Sequence, residues 1–221
     1  MTSKLACTIR LPLLALSFLI LLAACGGGGS DPEPVVTNPD PVQPSPPPAP
    51  PAAPEPTLAA ADPELVAGTI NSTPGWNAWV APAGRVPVSG VSCLGTITYH
   101  AHSLVSIYKE GVRLGLPDNV GRSGCAYELH THDVMGMVHM EADVPKTFTL
   151  GQFFALWNQP LGANGTAGLA GPVRFYLIEN ERLTRYTGDP ALLELMPHRE
   201  IVIVSGAAPA VLPKYRWPGG L

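Results

Sequence analysis

The chain has 221 residues, of which 46% are hydrophobic, and its formal net charge at pH 7 is −4. Acidic residues outnumber basic residues by 17 to 13, and the basic residues form no continuous run. This charge distribution argues against a nucleic-acid surface, so no nucleic-acid partner is expected. No pattern in the sequence identifies a protein partner.

A secretory signal is predicted at the N-terminus. A basic start is followed by an apolar run, Leu11–Ala24, which has the length of a signal peptide and is short for a membrane-spanning helix. The run ends in LAAC, which resembles the bacterial lipobox, where the cysteine becomes the lipidated N-terminus. We therefore expect a signal peptide over residues 1–24 and lipid on Cys25. The alternative is an ordinary signal peptide with an incidental cysteine.

A Gly- and Pro-rich tether is predicted over residues 25–63. It opens with the lipidated cysteine and four glycines and carries 13 of the 26 prolines of the chain. Pro-rich chain extends by about 3.1 Å per residue, so this segment can span on the order of 100 Å. We expect it to hold a folded domain away from the membrane, with an SH3-type ligand role as the alternative. Gly26, which follows the lipidated cysteine, favours the outer membrane, with the domain facing the periplasm or the exterior.

A disulfide is predicted from the cysteine count. Cys7 leaves with the signal peptide and Cys25 carries the lipid, so Cys93 and Cys125 remain. In an oxidising envelope compartment two such cysteines usually pair. The bridge would contribute roughly 3–4 kcal/mol to stability. Thiolate ligation of a metal is the alternative.

Residues 64–221 are predicted to form a single β-rich domain of the α+β class, with a mainly antiparallel sheet and one short helix. Strands are expected at residues 94–108, 112–116, 126–132, 137–142, 173–178, 183–186 and 200–205, the last of them central. Thr149 and Gln152 have the capping-box spacing, which predicts a helix that ends at Asn158. A single helical turn is expected within residues 190–195.

Histidines are concentrated in one part of this domain. Five of the six fall between His100 and His139, as two HxH pairs and one single residue. Residues two apart on a strand point to the same face, so both imidazoles of each pair share a side. His198 has no partner nearby in sequence and is expected at a cap or on the surface.

The loop at residues 133–136 sets the register of the second pair. A two- or four-residue loop places His130 opposite His139, whereas a three- or five-residue loop turns His139 towards the apolar face. With the first register, six residues share one face of the hairpin: Glu128, His130, His132, Met137, His139 and Glu141. Opposed Cβ atoms lie about 4.5–5.5 Å apart, so two imidazoles can reach one ion. The predicted disulfide would bring the first HxH strand beside this hairpin.

Converging imidazoles predict a transition-metal site. The expected ligands are His130, His132 and His139, assisted by His100 and His102. The thioethers of Met135, Met137 and Met140 lie nearby in sequence and favour Cu(I). Copper is therefore the first prediction and zinc the second. Met137 is an additional candidate ligand. Glu128, Asp133 and Glu141 are possible ligands too, but are better suited as acceptors for the imidazole N–H groups.

Two alternatives to metal binding alone stay open. The histidines can instead form a metal-free structural network, with the methionines as packing material. They can also surround an open metal position of an enzyme, with Glu141 or Asp133 as general base. A barrel hydrolase with paired histidines needs about 250 residues, which the predicted domain lacks. A blue-copper centre needs a cysteine ligand, and both remaining cysteines are assigned to the disulfide.

Three segments and the tail of the chain carry a resemblance: YHAHSLVSIYKEG, CAYELHTHDVMGMVHME, FTLGQFFALW and the closing PKYRWPGGL. They resemble a family of uncharacterised secreted or lipid-anchored prokaryotic domains with HxHxxLxI, LHTHD-x-x-G-x-x-H-x-E and FTLGxFF patterns. The pattern positions are occupied by Cys125, Leu129–Asp133, Gly136, His139, Glu141 and Phe148–Phe154. The resemblance implies no activity. The methionines at 135, 137 and 140 stand where the family pattern has small or aliphatic residues.

Overall fold

The computed structural model describes residues 54–62 and 75–219. The predicted signal peptide, Cys25 and most of the predicted tether lie outside these residues. Within the described ranges, no helix is long and apolar enough to cross a membrane.

Strands make up most of the regular structure. In chain order they are β1 (Thr57–Asp62), β2 (Tyr99–Lys109), β3 (Val112–Leu114), β4 (Leu129–His130), β5 (Met137–Ala142), β6 (Phe148–Thr149), β7 (Gly165–Thr166), β8 (Leu169–Ala170), β9 (Val173–Glu179), β10 (Arg182–Tyr186), β11 (Glu194–Leu195), β12 (Glu200–Ser205) and β13 (Val211–Tyr215). Helix α1 spans Leu150–Trp157, and 3-10 turns lie at Ala83–Arg85 and Pro190–Leu192. The prediction of a β-rich α+β domain with one short helix is confirmed.

Seven strands form the main sheet, in the order β10-β9-β12-β2-β5-β4, with β3 also paired to β2. All neighbours are antiparallel except β12 and β2, which run parallel. Residues 101–108 of β2 are buried, as are all six residues of β12. Burial on both faces explains the nearly continuous apolar run of β12. The predicted central position of residues 200–205 is confirmed.

The main sheet packs on both faces. On one face, core residues such as Val105 and Phe153 join the sheet to α1. On the opposite face, Tyr108 and Leu212 belong to a second cluster beside β13. Side chains alternate along β2, so His102 points to the same face as Tyr108. The histidines therefore lie on the sheet face opposite α1.

The last part of the predicted tether belongs to the folded domain. Thr57–Asp62 form β1, which pairs in parallel with β13. Just before β1, the Glu55 carboxylate accepts hydrogen bonds from Tyr176 Oη and Arg185 Nη1, both at 2.6 Å. The alanine-rich sequence of β1 offers little to bury. Pairing through backbone hydrogen bonds does not depend on side chains, so this strand carries no apolar pattern.

Helix α1 begins and ends as predicted. Thr149 Oγ1 accepts from the backbone N–H of Gln152, and Gln152 Oε1 accepts from the backbone N–H of Thr149, which completes the capping box. Asn158 closes the helix in the left-handed conformation. The helix thus presents Phe153 and Trp157 to the core.

Gly136 sits in the loop before β5, with a φ of 83° and no space for a side chain. A Cβ at this position would collide with the carbonyl oxygen of Val105, whose N–H donates to Gly136 O at 2.9 Å. We expect Gly136→Ala to lower the free energy of unfolding by about 3 kcal/mol or more, because strain and collision add. Urea denaturation measures the loss.

Gly168 supplies the matched control for this substitution. Its φ is 76°, but nothing lies within 4 Å of the position that a Cβ would occupy. Gly168→Ala should therefore cost only the conformational strain, about 1–2 kcal/mol. Equal losses of unfolding free energy in the two variants would show that the collision with Val105 adds nothing to the cost of Gly136→Ala.

Candidate metal site

The disulfide ties together the segments that lead into the two histidine pairs. Cys93 and Cys125, 32 residues apart in sequence, are bonded, as predicted. Cys93 also forms an antiparallel bridge with Tyr127, and the N–H of Leu94 donates to Ala126 O at 2.7 Å. The starts of both segments are therefore held side by side.

Strand pairing places His139 between the two histidine pairs. His130 lies opposite His139 in the β4–β5 ladder, as predicted, but β4 ends at His130, so the ladder does not include the predicted pair of His132 with Met137. On the other side of β5, His102 is opposite His139 and His100 is opposite Glu141. The first pair thus adjoins β5, as expected from the disulfide.

His100, His102 and His139 form one group of ligand atoms, which we call the first triad. The Nδ1 atom of His139 lies 3.2 Å from His100 Nε2 and 3.1 Å from His102 Nε2. Glu141 joins this group, since its Oε1 lies 3.3 Å from His100 Nε2 and 3.7 Å from His139 Nδ1. Three imidazole nitrogens therefore converge, and the Glu141 carboxylate lies against two of them.

His130, His132 and His139 form the second triad. The Nε2 atoms of His130 and His132 lie 3.1 Å apart, and the His132 ring stacks on His139 with centroids 4.1 Å apart. His130 Nδ1 lies 2.8 Å from the carbonyl oxygen of Tyr127, to which it donates. That bond leaves the lone pair of His130 on Nε2, facing His132.

In each triad the ligand atoms lie within 4.8 Å of one another, so each triad can hold a metal ion. The five histidines named in the sequence are brought into one cluster. The two triads differ in their outer contacts. His130 has an orienting acceptor, whereas His102 Nδ1 is buried without a hydrogen-bond partner among the described residues.

Four of the five imidazoles have lowered pKa values. Burial, followed by repulsion from His100, lowers the pKa of His102 to about 4. Burial, followed by the four surrounding imidazoles, lowers the pKa of His139 to about 3. Burial is also the main cause of the lowered pKa values of His130 and His132. These imidazoles are therefore neutral at pH 7, the form that metal ligation requires.

The metal-free protein should lose stability as the pH falls from 7 to 5. The unfolded chain takes up protons near pH 6.5, whereas folded His102 and His139 stay neutral down to about pH 4 and 3. Protons then favour the unfolded state. We expect about 1.6 kcal/mol of lost stability per histidine between pH 6.5 and 5, measured by urea unfolding with a chelator present. His139→Asn should reduce the slope, and an equal slope in that variant would contradict this origin.

The acidic residues do not share one role. Of these three, Glu141 lies against the imidazoles of His100 and His139, where either of its predicted roles, ligand or outer acceptor, is open to it. Glu128 is engaged elsewhere, by Lys146 Nζ at 2.8 and 2.9 Å. Asp133 accepts from the backbone N–H of Met135 at 2.8 Å and shapes the turn. The spacing of Glu141, two residues after a histidine on the same strand face, was the available signal for a direct role.

The methionines are packing residues in this structure. Met140 is 1% exposed and belongs to the core on the opposite face of the sheet. Met135 and Met137 pack around Leu104 together with Trp217. The thioether argument for copper over zinc therefore finds no support in the packing.

A cleft that the sequence did not predict lies near the first triad, although its lining includes none of the three triad residues. It has a volume of about 660 Å³, and its lining includes Glu179, His198, Arg199, Glu200, Lys214 and Trp217. His198 connects the cleft to the triad, because its backbone N–H donates to the backbone carbonyl oxygen of His102 at 2.9 Å. The exposed His198 ring stacks on Trp217, with centroids 4.9 Å apart. The aromatic residues of the closing PKYRWPGGL segment were the only sequence signal for this cleft.

Glu200 forms the buried floor of the cleft. It is 4% exposed, and its Oε1 accepts from the backbone N–H of Tyr215 at 2.8 Å. Burial raises the pKa of Glu200 to about 7. The carboxyl therefore changes charge near neutral pH.

No family model, curated protein or solved structure matches the chain. The predicted resemblance to lipid-anchored prokaryotic domains stays a prediction. The fold and the site define a β-rich, disulfide-bonded domain with two histidine triads, each able to hold a metal ion.

Proposed function

We propose that this chain is a lipid-anchored cell-envelope protein that binds a divalent transition metal through His100, His102, His139 and Glu141. One observation carries this proposal. A tetrahedral ion with bonds of about 2.0–2.1 Å has ligand atoms separated by about 3.3–3.4 Å. Four of the six separations among the nitrogen and oxygen atoms of this site are 3.1, 3.2, 3.3 and 3.7 Å.

Zinc and copper are the metals that this donor set suits. Three imidazoles and one carboxylate match the ligands of Zn²⁺ and are also accepted by Cu²⁺. Met135 and Met137 pack against Leu104, so the thioethers give Cu(I) no added support. The proposal therefore prefers neither copper nor zinc, and the test measures both.

A role in metal sequestration, delivery or sensing fits an anchored protein. The LAAC sequence at residues 22–25 supports lipidation of Cys25, with the tether carrying the domain away from the membrane. The His100 side chain is 49% exposed, so an ion at the first triad is open to exchange with solvent or with a partner.

Metal analysis by mass spectrometry tests the proposal. The chain is expressed in an oxidising compartment and purified, as wild type and as His102→Ala/His139→Ala. We expect stoichiometric zinc or copper in the wild type and its loss in the double variant. His198→Asn is the matched control, because it removes a histidine beside the site and asparagine tolerates the positive φ of 61°. Metal-free wild type that also fails to take up added zinc or copper would overturn the proposal.

A metal-dependent enzyme is the second candidate, favoured by the cleft beside the first triad. Its volume of about 660 Å³ is within the range of small-molecule sites. Such an enzyme needs a metal position open to substrate or water. Addition of azide to the cobalt-substituted protein tests this, since an exchangeable position would change the visible spectrum. An unchanged spectrum would point to closed coordination and remove the enzyme candidate.

A further inference from the structure

We infer that the histidine cluster holds two metal ions, which share His139. This inference rests on the proposed function, which supplies the first ion at His100, His102 and Glu141. The second position belongs to the second triad, in which His130 and His132 complete the ligand set. An ion bound at this second position would make the site dinuclear.

The position of β5 in the sheet makes sharing possible. β5 lies between β2 and β4, so His139 has one histidine pair on each side. Both close contacts from the first pair reach Nδ1 of His139, at 3.2 Å for His100 and 3.1 Å for His102. An imidazole has a second nitrogen, Nε2, which these contacts do not use. That nitrogen is the donor available to a second ion.

The second position is also built as a metal site. His130 is 2% exposed, and its bond to the Tyr127 carbonyl directs its Nε2 lone pair towards His132. This carbonyl–histidine pairing is the usual outer support of a metal-binding imidazole. The two Nε2 atoms lie 3.1 Å apart, again close to a tetrahedral edge of about 3.3 Å.

A single ion bound at the first triad would leave His130 and His132 without a metal to bind. The first triad and Glu141 already supply four donors, the usual number for zinc. His130 and His132 are then surplus to the first ion, although they lie against the same shared residue. Binding of both ions by His139 requires its ring N–H proton to leave to solvent, so that each nitrogen donates one lone pair.

Zinc titration of the metal-free full chain counts the sites. We expect two equivalents in the wild type. His132→Ala and His100→Ala form a matched pair, because each removes an exposed histidine from one triad and leaves the other triad intact. Each variant should lose one tight equivalent, and circular dichroism should show that both remain folded.

The outcomes separate the two proposals. A wild type that binds no zinc overturns both the proposed function and the dinuclear inference. One equivalent that survives in His132→Ala supports the proposed function and overturns the second position. Two equivalents that both survive in His132→Ala also overturn the second position as assigned.

Copper loading tests whether His139 is shared. Two Cu²⁺ ions joined through one imidazole couple magnetically, so the second equivalent should reduce the integrated paramagnetic resonance signal per copper. Two equivalents with the full, independent signal would place the ions at separate sites and overturn the sharing of His139.

Discussion

Saturating zinc is expected to raise the melting temperature of the metal-free protein by about 10 °C, and His139→Ala is expected to abolish the increase. A ligand present at 1,000 times its dissociation constant stabilises the folded state by about 4.1 kcal/mol. For a domain of this size, each kcal/mol shifts the melting temperature by about 2–4 °C. His139 belongs to both triads, so its removal affects every metal position at once.

Differential scanning calorimetry, with and without zinc, measures this shift. The metal-free forms of wild type and His139→Ala are compared first, because the substitution also changes the packing of the cluster. His198→Asn should keep the full increase, since its ring stacks on Trp217 and belongs to neither triad. A zinc shift that persists in His139→Ala would mean that the stabilising ion binds elsewhere.

Loss of the disulfide is expected to lower the free energy of unfolding by about 3–4 kcal/mol. The bond closes a loop with a sequence separation of 32 residues, and the chain-entropy relation assigns a loop of this length about that value. Urea unfolding of Cys93→Ser/Cys125→Ser beside the wild type measures the loss. Reduction of the wild type should reproduce it, which separates the missing bond from the effect of the substituted side chains.

The same variant tests thiolate ligation of a metal. The imidazoles are positioned by the β2–β5 and β4–β5 ladders, so the folded variant should still bind its metal in full. If the cysteines were ligands, metal would be lost along with the thiolates. Loss of metal from a folded Cys93→Ser/Cys125→Ser variant would therefore favour the thiolate alternative.

Local rules account for much of the candidate site. The two-residue spacing of His100 and His102 placed both imidazoles on one face, and the turn before β5 set His130 opposite His139. The capping box at Thr149 was equally local. Each of these features depends on residues close together in the chain, so spacing and turn chemistry were sufficient to predict them.

Non-local pairing decided the remainder. The sequence by itself determined which histidines share a face, which cysteines remain to pair and where the helix begins. Only the tertiary structure decided that β5 lies between the two histidine pairs, that Glu141 faces His100, and that β1 joins the domain through β13. The methionines were assigned to packing by the same means. The physical reason is that strand neighbours are chosen by burial and backbone hydrogen bonding across distant segments, which periodicity along one segment does not encode.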